Sequence, residues 1–195
     1  MELIDEIKEY LKNTLSEKRY KHSIGVMQRA EELARIYGVD VEKAKACGLA
    51  HDIAKEMSPQ QSLRYVKENS IYIDKVERIN TGLLHGKIGA DIVKKKFKFT
   101  EDMQKAIEYH TTTNPKMDML AKIVYVSDKT ELGRESKYNV EYERQLANKD
   151  IDQAIIYIIN EGLKNMISKD KIIHPKCIET RNHIILEQKK QAKNS

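Results

Sequence analysis

Four of the six histidines in this chain, His22, His51, His85 and His110, lie on or beside apolar stripes of helical spacing. One such histidine, taken alone, is most often a hydrogen-bonded core residue. Two carboxylates change the weighing. His51 is followed at once by Asp52, and neighbours on a helix point about 100° apart, so a His-Asp pair near a helix end reaches two points of one small cavity. There the imidazole can bind one metal while the two-oxygen carboxylate bridges to a second. Asp128 closes the apolar run MLAKIVYVSD, with Leu120, Ala121, Val124 and Tyr125 one and two turns behind it. An inward carboxylate must be paired, protonated or bound to a cation. Imidazole with carboxylate and no thiolate suits iron, manganese or cobalt. No Ser or Cys sits in an evident activating context.

Two basic residues flank these candidates. Lys55 lies four residues after His51, one turn along the same expected helix, where it can reach a bound phosphate or serve as a solvated cation at a helix C-terminus. Arg19 precedes His22 by three residues and can bind a phosphate or pair with a carboxylate. Thr111 and Thr112 either line the site beside His110 or cap a loop. Arg134, six residues after Asp128, is within reach of a nucleotide phosphate. Lys87 and His174 read as surface residues, and His183 as structural or solvated.

The elements that must position these groups read as helices. Residues 2–14 form a short amphipathic one. Ser16 caps the next, which runs to about Tyr37 with His22, Val26, Ala30, Leu33 and Tyr37 on one stripe, and Gly38 ends it. Asp40 opens a third through Lys55, where Ala44, Cys47 and Gly48 share a face with His51 and permit close approach of a neighbour. Ser58-Pro59 starts a fourth. A short helix is expected over 71–80, one after His85, and one capped by Thr100 that carries Met103, Ala106, Ile107 and His110. The loop TTTNP follows, and Met117–Asp128 is expected to be the most buried helix. GRESKYN reads as a loop, Asp150–Ser168 as a long helix, and Lys176–Lys190 as the last. Ile71–Ile73 is the one β-like run and is discounted. The expected fold is therefore all-α, a bundle of about eight to ten helices. Residues 1–195 read as a single domain, with a site-bearing core over about 16–135 and a helical extension over about 140–190.

Composition agrees. The chain has 195 residues, 33% charged and 40% hydrophobic, with no Trp, the balance of a soluble globular domain. No apolar run is long enough to span a bilayer. The N-terminus lacks the uninterrupted apolar centre of a signal peptide, so a cytoplasmic location is expected. Cys47 and Cys177 form no CxxC pair and need not form a disulfide. The net charge of +5 is compatible with an anionic partner, but lysines are spread over every helix, which disfavours nucleic acid as the main one. The tail EQKKQAKNS reads as a frayed, solvated end.

The ordered set of His, His-Asp, His, His and Asp, each on a separate helix, resembles the HD phosphohydrolase superfamily. More closely it resembles the bacterial HD-domain family that hydrolyses diadenosine tetraphosphate symmetrically. The segments that carry the resemblance are RYKHSIGVMQRAEELA, AHDIAKEMS, LLHGKIGA, AIEYHTTTNPKM and AKIVYVSDKTE, in order over about residues 1 to 185. The resemblance implies an HD-domain fold and a dinuclear metal centre, usually iron. His22, His51, Asp52 and Asp128 would hold one metal and His85 and His110 the other, with Asp52 bridging. Asp52 and Lys55 would act in catalysis, and Arg19, Lys55, Thr111 and Arg134 would bind substrate. Such a metal pair lowers the pKa of a shared water and offsets phosphoryl charge.

The expected reaction is hydrolysis of diadenosine tetraphosphate to two ADP. The alternatives are hydrolysis of another nucleotide, an oxygen-dependent di-iron oxidation, and a nucleotide-binding signalling module. The expected partner is a nucleotide, with no membrane; a homodimer is left open. The chain departs from the family pattern at SDKTELGR, where relatives carry an ADYIEPNR-like run, and at TTTNP, where they carry a TTG-like turn. Both departures spare the metal ligands and leave the preferred nucleotide open.

Overall fold

The computed structural model describes residues 2–134 and 139–193. Among the described residues every regular element is a helix. In chain order they are α1 (Leu3–Thr14), α2 (Glu17–Tyr37), α3 (Val41–Ala50), α4 (Pro59–Glu68), α5 (Lys75–Ile79), α6 (His85–Phe97), α7 (Glu101–Thr112), α8 (Met119–Thr130), α9 (Val140–Lys149), α10 (Ile151–Ile167) and α11 (Pro175–Lys193). A 3₁₀ turn, Thr81–Leu84, leads into α6.

Most helix ends follow from local chemistry. Ser16 and Asp40 accept hydrogen bonds from the backbone N–H groups of Arg19 and Lys43. Ser58 and Gln61 form a reciprocal capping box ahead of Pro59, and Asp74 and Glu77 form another. Gly38 ends α2 with φ of 67°, a left-handed turn that favours glycine.

Several expectations are corrected. The third helix stops at Ala50 instead of running to Lys55. Ile53 N–H and Lys55 N–H bond back only three residues, to Ala50 and Asp52, so His51–Glu56 are tight turns that swing successive side chains inward. Thr100 sits at the N-terminus of α7 without capping it, because its hydroxyl turns to Asp102. Thr111 and Thr112 belong to α7, and the loop begins at Thr113. Helix α9 was not expected at all. Its sequence VEYERQLANK is mostly polar, but Val140, Glu143 and Ala147 fall on one inward stripe at helical spacing, and Asn139 caps it. The C-terminal segment is helical to Lys193 rather than frayed from EQKKQAKNS onward. Of the expected GRESKYN loop, residues 135–138 lie outside the described residues.

Helix α8 is the hub. It packs against α2, α3, α7, α9 and α10, while α2 lies along α3 and α6 along α7. From Leu120 to Thr130 only Lys122 and Lys129 escape burial, which is the physical meaning of the apolar run there. One continuous apolar cluster reaches from Ile7 and Leu11 of α1 to Ile155 and Ile184 of α10 and α11. Cys47 and Cys177 are free thiols. Lys87 and His174 are not surface residues. The Lys87 ammonium donates to Glu77, which is 2% exposed, at 2.7 Å, and His174 pairs with Asp74 at 2.8 Å, fixing the start of α11 to the α5 cap.

Small residues set the helix spacing that the site needs. A Cβ on Gly48 would lie 2.9 Å from the Val26 carbonyl oxygen and 3.1 Å from the Met27 Cα, so α2 and α3 touch through backbone there. At Gly86 an added Cβ would lie 2.7 Å from the Glu108 carbonyl oxygen, the corresponding contact between α6 and α7. Both contacts involve rigid backbone, which cannot move aside without parting the helices. Gly48→Val is expected to destabilise the fold by about 2–3 kcal/mol through overpacking, read from the midpoint of urea unfolding. An unchanged midpoint would show that the α2–α3 spacing is not set at Gly48.

Candidate metal centre

The fold brings the six expected ligands into one cluster. His22 comes from the first half of α2, His51 and Asp52 from the turn after α3, His85 from the first position of α6, His110 from the end of α7 and Asp128 from the end of α8. Each therefore sits at or near an element end, except His22, and the helix ends converge. His51 and His110 are almost wholly buried, Asp52, His85 and Asp128 nearly so, and His22 half-buried.

Three of the rings are aimed by their own backbone. Nδ1–H of His51 donates to the Gly48 carbonyl at 2.8 Å, that of His85 to Gly82 at 2.6 Å and that of His110 to Ile107 at 2.6 Å. A carbonyl can only accept, so Nδ1 carries the proton and Nε2 presents a lone pair. His22 is held likewise by the Glu131 carboxylate, 3.2 Å from its Nδ1. Glu131 is 4% exposed and needs Gly25 beneath it, because a Cβ there would lie 2.5 Å from its Oε2. The sequence reading gave Glu131 no role. Its spacing of three residues from Asp128, one helical turn, is the signal that it faces the same way.

Four Nε2 atoms thus point at the two carboxylates. Asp52 Oδ2 lies 3.4 Å from His51 Nε2 and 3.8 Å from His22 Nε2; its other oxygen, Oδ1, lies 3.2 Å from His85 Nε2 and 3.5 Å from His110 Nε2. Asp128 Oδ1 lies 3.1 Å from His22 Nε2 and 3.7 Å from His51 Nε2. One oxygen of Asp52 therefore faces each pair of imidazoles.

This arrangement is rich in lone pairs and poor in protons. His51 Nε2 is buried with no hydrogen-bond partner. His85 Nε2 and His110 Nε2 face each other at 3.0 Å, although both rings carry their proton on the opposite nitrogen. Orphaned nitrogen lone pairs beside ionised carboxylates are costly unless a cation sits among them. The donors fit divalent metal ions, and His22–His51–Asp128 and His51–Asp52–His110 each converge closely enough to share one. A third trio, Asp74, Glu77 and His174, is accounted for by the capping box and ion pairs described above.

The proton affinities agree. Burial alone would raise the carboxyl groups of Asp52 and Asp128, but neighbouring imidazoles, and Lys129 beside Asp128, hold both well below the ordinary range. Burial works against the His51 imidazolium, yet the Asp52 and Asp128 charges outweigh it and lift that ring to about 9. Burial pushes His85 down, and His110 to about 4, so both stay neutral. Without metal, a proton on His51 adds to the basic side chains that balance the carboxylates.

Cations ring the mouth. Lys55, although beyond the end of α3, still reaches the centre: its Nζ is 3.2 Å from His85 Nε2 and 3.8 Å from Asp52 Oδ1. Burial lowers its pKa, against the pull of Asp52 and Asp128. Arg19 pairs with Asp52 Oδ2 at 2.8 Å, and Arg134 Nη1 with Asp128 Oδ1 at 3.1 Å. Lys129, which the sequence reading passed over, donates to Asp128 Oδ2 at 2.5 Å. Thr111 lines a cleft beside the centre, whereas Thr112 turns into buried packing near Thr113. His183 is exposed on α11, away from the cluster.

Comparison with known proteins points the same way. The HD domain profile matches residues 19–133. Symmetrical bis(5'-nucleosyl)-tetraphosphatases are similar along nearly the whole chain. The one from Halalkalibacterium halodurans is 34% identical, covering 92% of this chain and 95% of its own length. The one from Bacillus subtilis is 32% identical, covering 90% and 94%. A crystal structure from Clostridium acetobutylicum, described as a predicted HD superfamily hydrolase involved in NAD metabolism, superposes with a TM-score of 0.90 at 40% identity. That match covers 94% of this chain and 97% of the other.

The proton on His51 gives a test of the centre in the chelated protein. A divalent cation must displace it, so apparent metal affinity should rise with pH throughout the range below about 9 and then level off. The slope should approach about tenfold per pH unit for one displaced proton. Chelator-competition titrations across that range measure it, and an affinity flat with pH would contradict the assignment.

Proposed function

From the premise that this chain belongs to the HD domain family, we propose that it hydrolyses diadenosine tetraphosphate symmetrically, giving two ADP. The observation that carries this reading is the Asp52 carboxylate, with one oxygen facing His22 and His51 and the other facing His85 and His110. His22, His51, Asp52 and Asp128 would hold one metal ion and His85 and His110 a second, with Asp52 shared. We take iron as the native metal, since imidazole and carboxylate donors accept it as readily as manganese or cobalt. When bound, the pair would supply a water of lowered pKa and neutralise charge on the phosphoryl group.

The chain's own residues do the rest. In the reaction a water oxygen bonds to a phosphorus of the central P–O–P bridge, the bridging P–O bond breaks, and ADP leaves with its charge. Lys55 stands beside Asp52 and His85 with three donors on a flexible stem, placed to offset charge on that leaving oxygen. Arg19 and Arg134 would exchange their carboxylate partners in part for phosphate oxygens, which accept the same guanidinium geometry. Thr111 would add a hydroxyl at the cleft beside His110. Nothing in this scheme needs a protein nucleophile. The whole chain is then one unit, with the centre built on about residues 16–135 and an extension in which α9 and α10 pack on α8 and α11 packs on α10. No described helix is long and apolar enough to cross a membrane, and we place the protein in the cytoplasm.

Anaerobic purification with metal analysis, followed by product analysis on diadenosine tetraphosphate, tests the reading. Two ADP are expected without added oxygen or reductant; AMP with ATP, or phosphate alone, would reject symmetrical cleavage. Asp52→Ala should lose both metal and turnover, and turnover retained by a metal-free preparation would defeat the scheme. Lys55→Ala should lower kcat by about a hundredfold, the loss typical of one charge-stabilising group, with metal content close to that of the unaltered protein. Parallel loss of metal would reassign Lys55 to structure.

A further inference from the structure

Two clefts open from the centre, and they differ in chemistry. One, of about 480 Å³, lies between α8, α10 and α11 and is walled by apolar side chains that include Tyr125, Ile159, Leu163 and Met166. The other, of about 890 Å³, is lined by Glu17, Lys18, Arg19, Lys21, His22 and Glu131 with Gly133 and Arg134, and apart from the His22 imidazole its side chains are all charged. Arg134 lines both clefts and touches Asp128.

We propose that only the α8–α10–α11 cleft reads a nucleoside, and that the opposite cleft holds the other half of the substrate through its phosphates, whatever its base. This rests on the dinucleotide reading above. Both clefts have the size of small-ligand pockets, about 300 to 1,000 Å³, and the lining of the α8–α10–α11 cleft, called the closed cleft below for its apolar walls, sets it apart. Its apolar walls suit a base, and Lys129 stands at the phosphate end, bonded to Asp128 and lying 5.5 Å from the centroid of the Tyr125 ring. Glu143 supplies the polar reader. It lines this cleft at 4% exposure, between the charges of Lys129 and Arg134. A carboxyl group so placed can accept from a donor that arrives with the ligand. The exocyclic amine of adenine is such a donor, where uracil carries a carbonyl oxygen instead. In the polar cleft, lysines and arginines match phosphate charge, and no apolar side chain walls a base there.

Gly162 of α10 makes the test clean. It lines the closed cleft, and an added Cβ would meet nothing within 4 Å. A larger residue there fills the cleft, and replacing a helix-interior glycine favours the helix. The holoenzyme is assayed on diadenosine tetraphosphate, the mixed adenosine–uridine tetraphosphate and diuridine tetraphosphate. The first two should have KM values within about threefold of each other, and the third a KM raised about tenfold or more, the scale of one missing polar contact and a smaller ring. Gly162→Leu should raise KM for both adenosine substrates about tenfold, with metal content unchanged and an unfolding midpoint no lower than that of the unaltered protein. Glu143→Gln should narrow the adenosine–uridine difference. A mixed substrate as poor as diuridine tetraphosphate would show that both ends are read. Adenosine KM values unmoved by both variants would empty the closed cleft of its role. If none of the three substrates yields a nucleoside diphosphate, the dinucleotide reading itself fails, and this inference with it.

Discussion

A carboxylate only 2% exposed, with four imidazoles turned toward it, dominates the energetics of this fold. Burying Asp52 in its ionised form is unfavourable unless positive charge is delivered to it. Arg19 reaches Oδ2 and Lys55 lies near Oδ1, but the space between the carboxylate and the Nε2 atoms is left to a cation. In the metal-free chain His51 takes a proton in its place, at a site where burial alone would keep the ring neutral. The metal-binding function and the cost of assembling the core are thus two aspects of one buried charge. The helices around it pack on the apolar face of α8, and a bound cation would add to their stability.

Precision at the centre comes from devices that are cheap individually. Three imidazoles are oriented by carbonyls three residues back in their own turns, so their aim is inherited from local backbone. The fourth, His22, lies within a regular helix and has no such carbonyl, and Glu131 from the end of α8 takes that part across space. Gly25 makes room for Glu131, as Gly48 and Gly86 let pairs of helices approach at backbone distance. These glycines cost some helix stability. In return the ligands stand within reach of shared cations, which side chains on helices held apart by larger residues would not do.

The surroundings of the centre divide by chemistry. Its cationic residues lie at the mouth and its apolar surface lies to one side, under α10 and α11. A substrate with identical halves therefore meets unlike walls, one selecting by shape and hydrogen bonding and the other by charge alone. The region that departs most from the family's sequence pattern, from Ser127 to Arg134, supplies residues to both clefts. Variation there leaves the ligands intact while altering what surrounds the phosphates.

The sequence by itself determined the helical class, the positions of most helix ends and, with the family resemblance, which six histidine and aspartate side chains converge. Those properties depend on signals within a few residues: caps such as Ser16 and Ser58, the left-handed Gly38, apolar periodicity, and the apolar run that buries Asp128. Helix α9 escaped because its inward stripe carries only two buried apolar residues, Val140 and Ala147, and its stability comes from docking on α2, α8 and α10. The end of α3 at Ala50 escaped because a continuing helix and a string of tight turns look alike in one dimension. Only the tertiary structure decided which oxygen of Asp52 faces which imidazoles, that Glu131 holds His22, that Arg19 and Arg134 rest on carboxylates, and that the two clefts differ. Each of these is a contact between residues distant along the chain, and its geometry is fixed by how closely whole helices can pack.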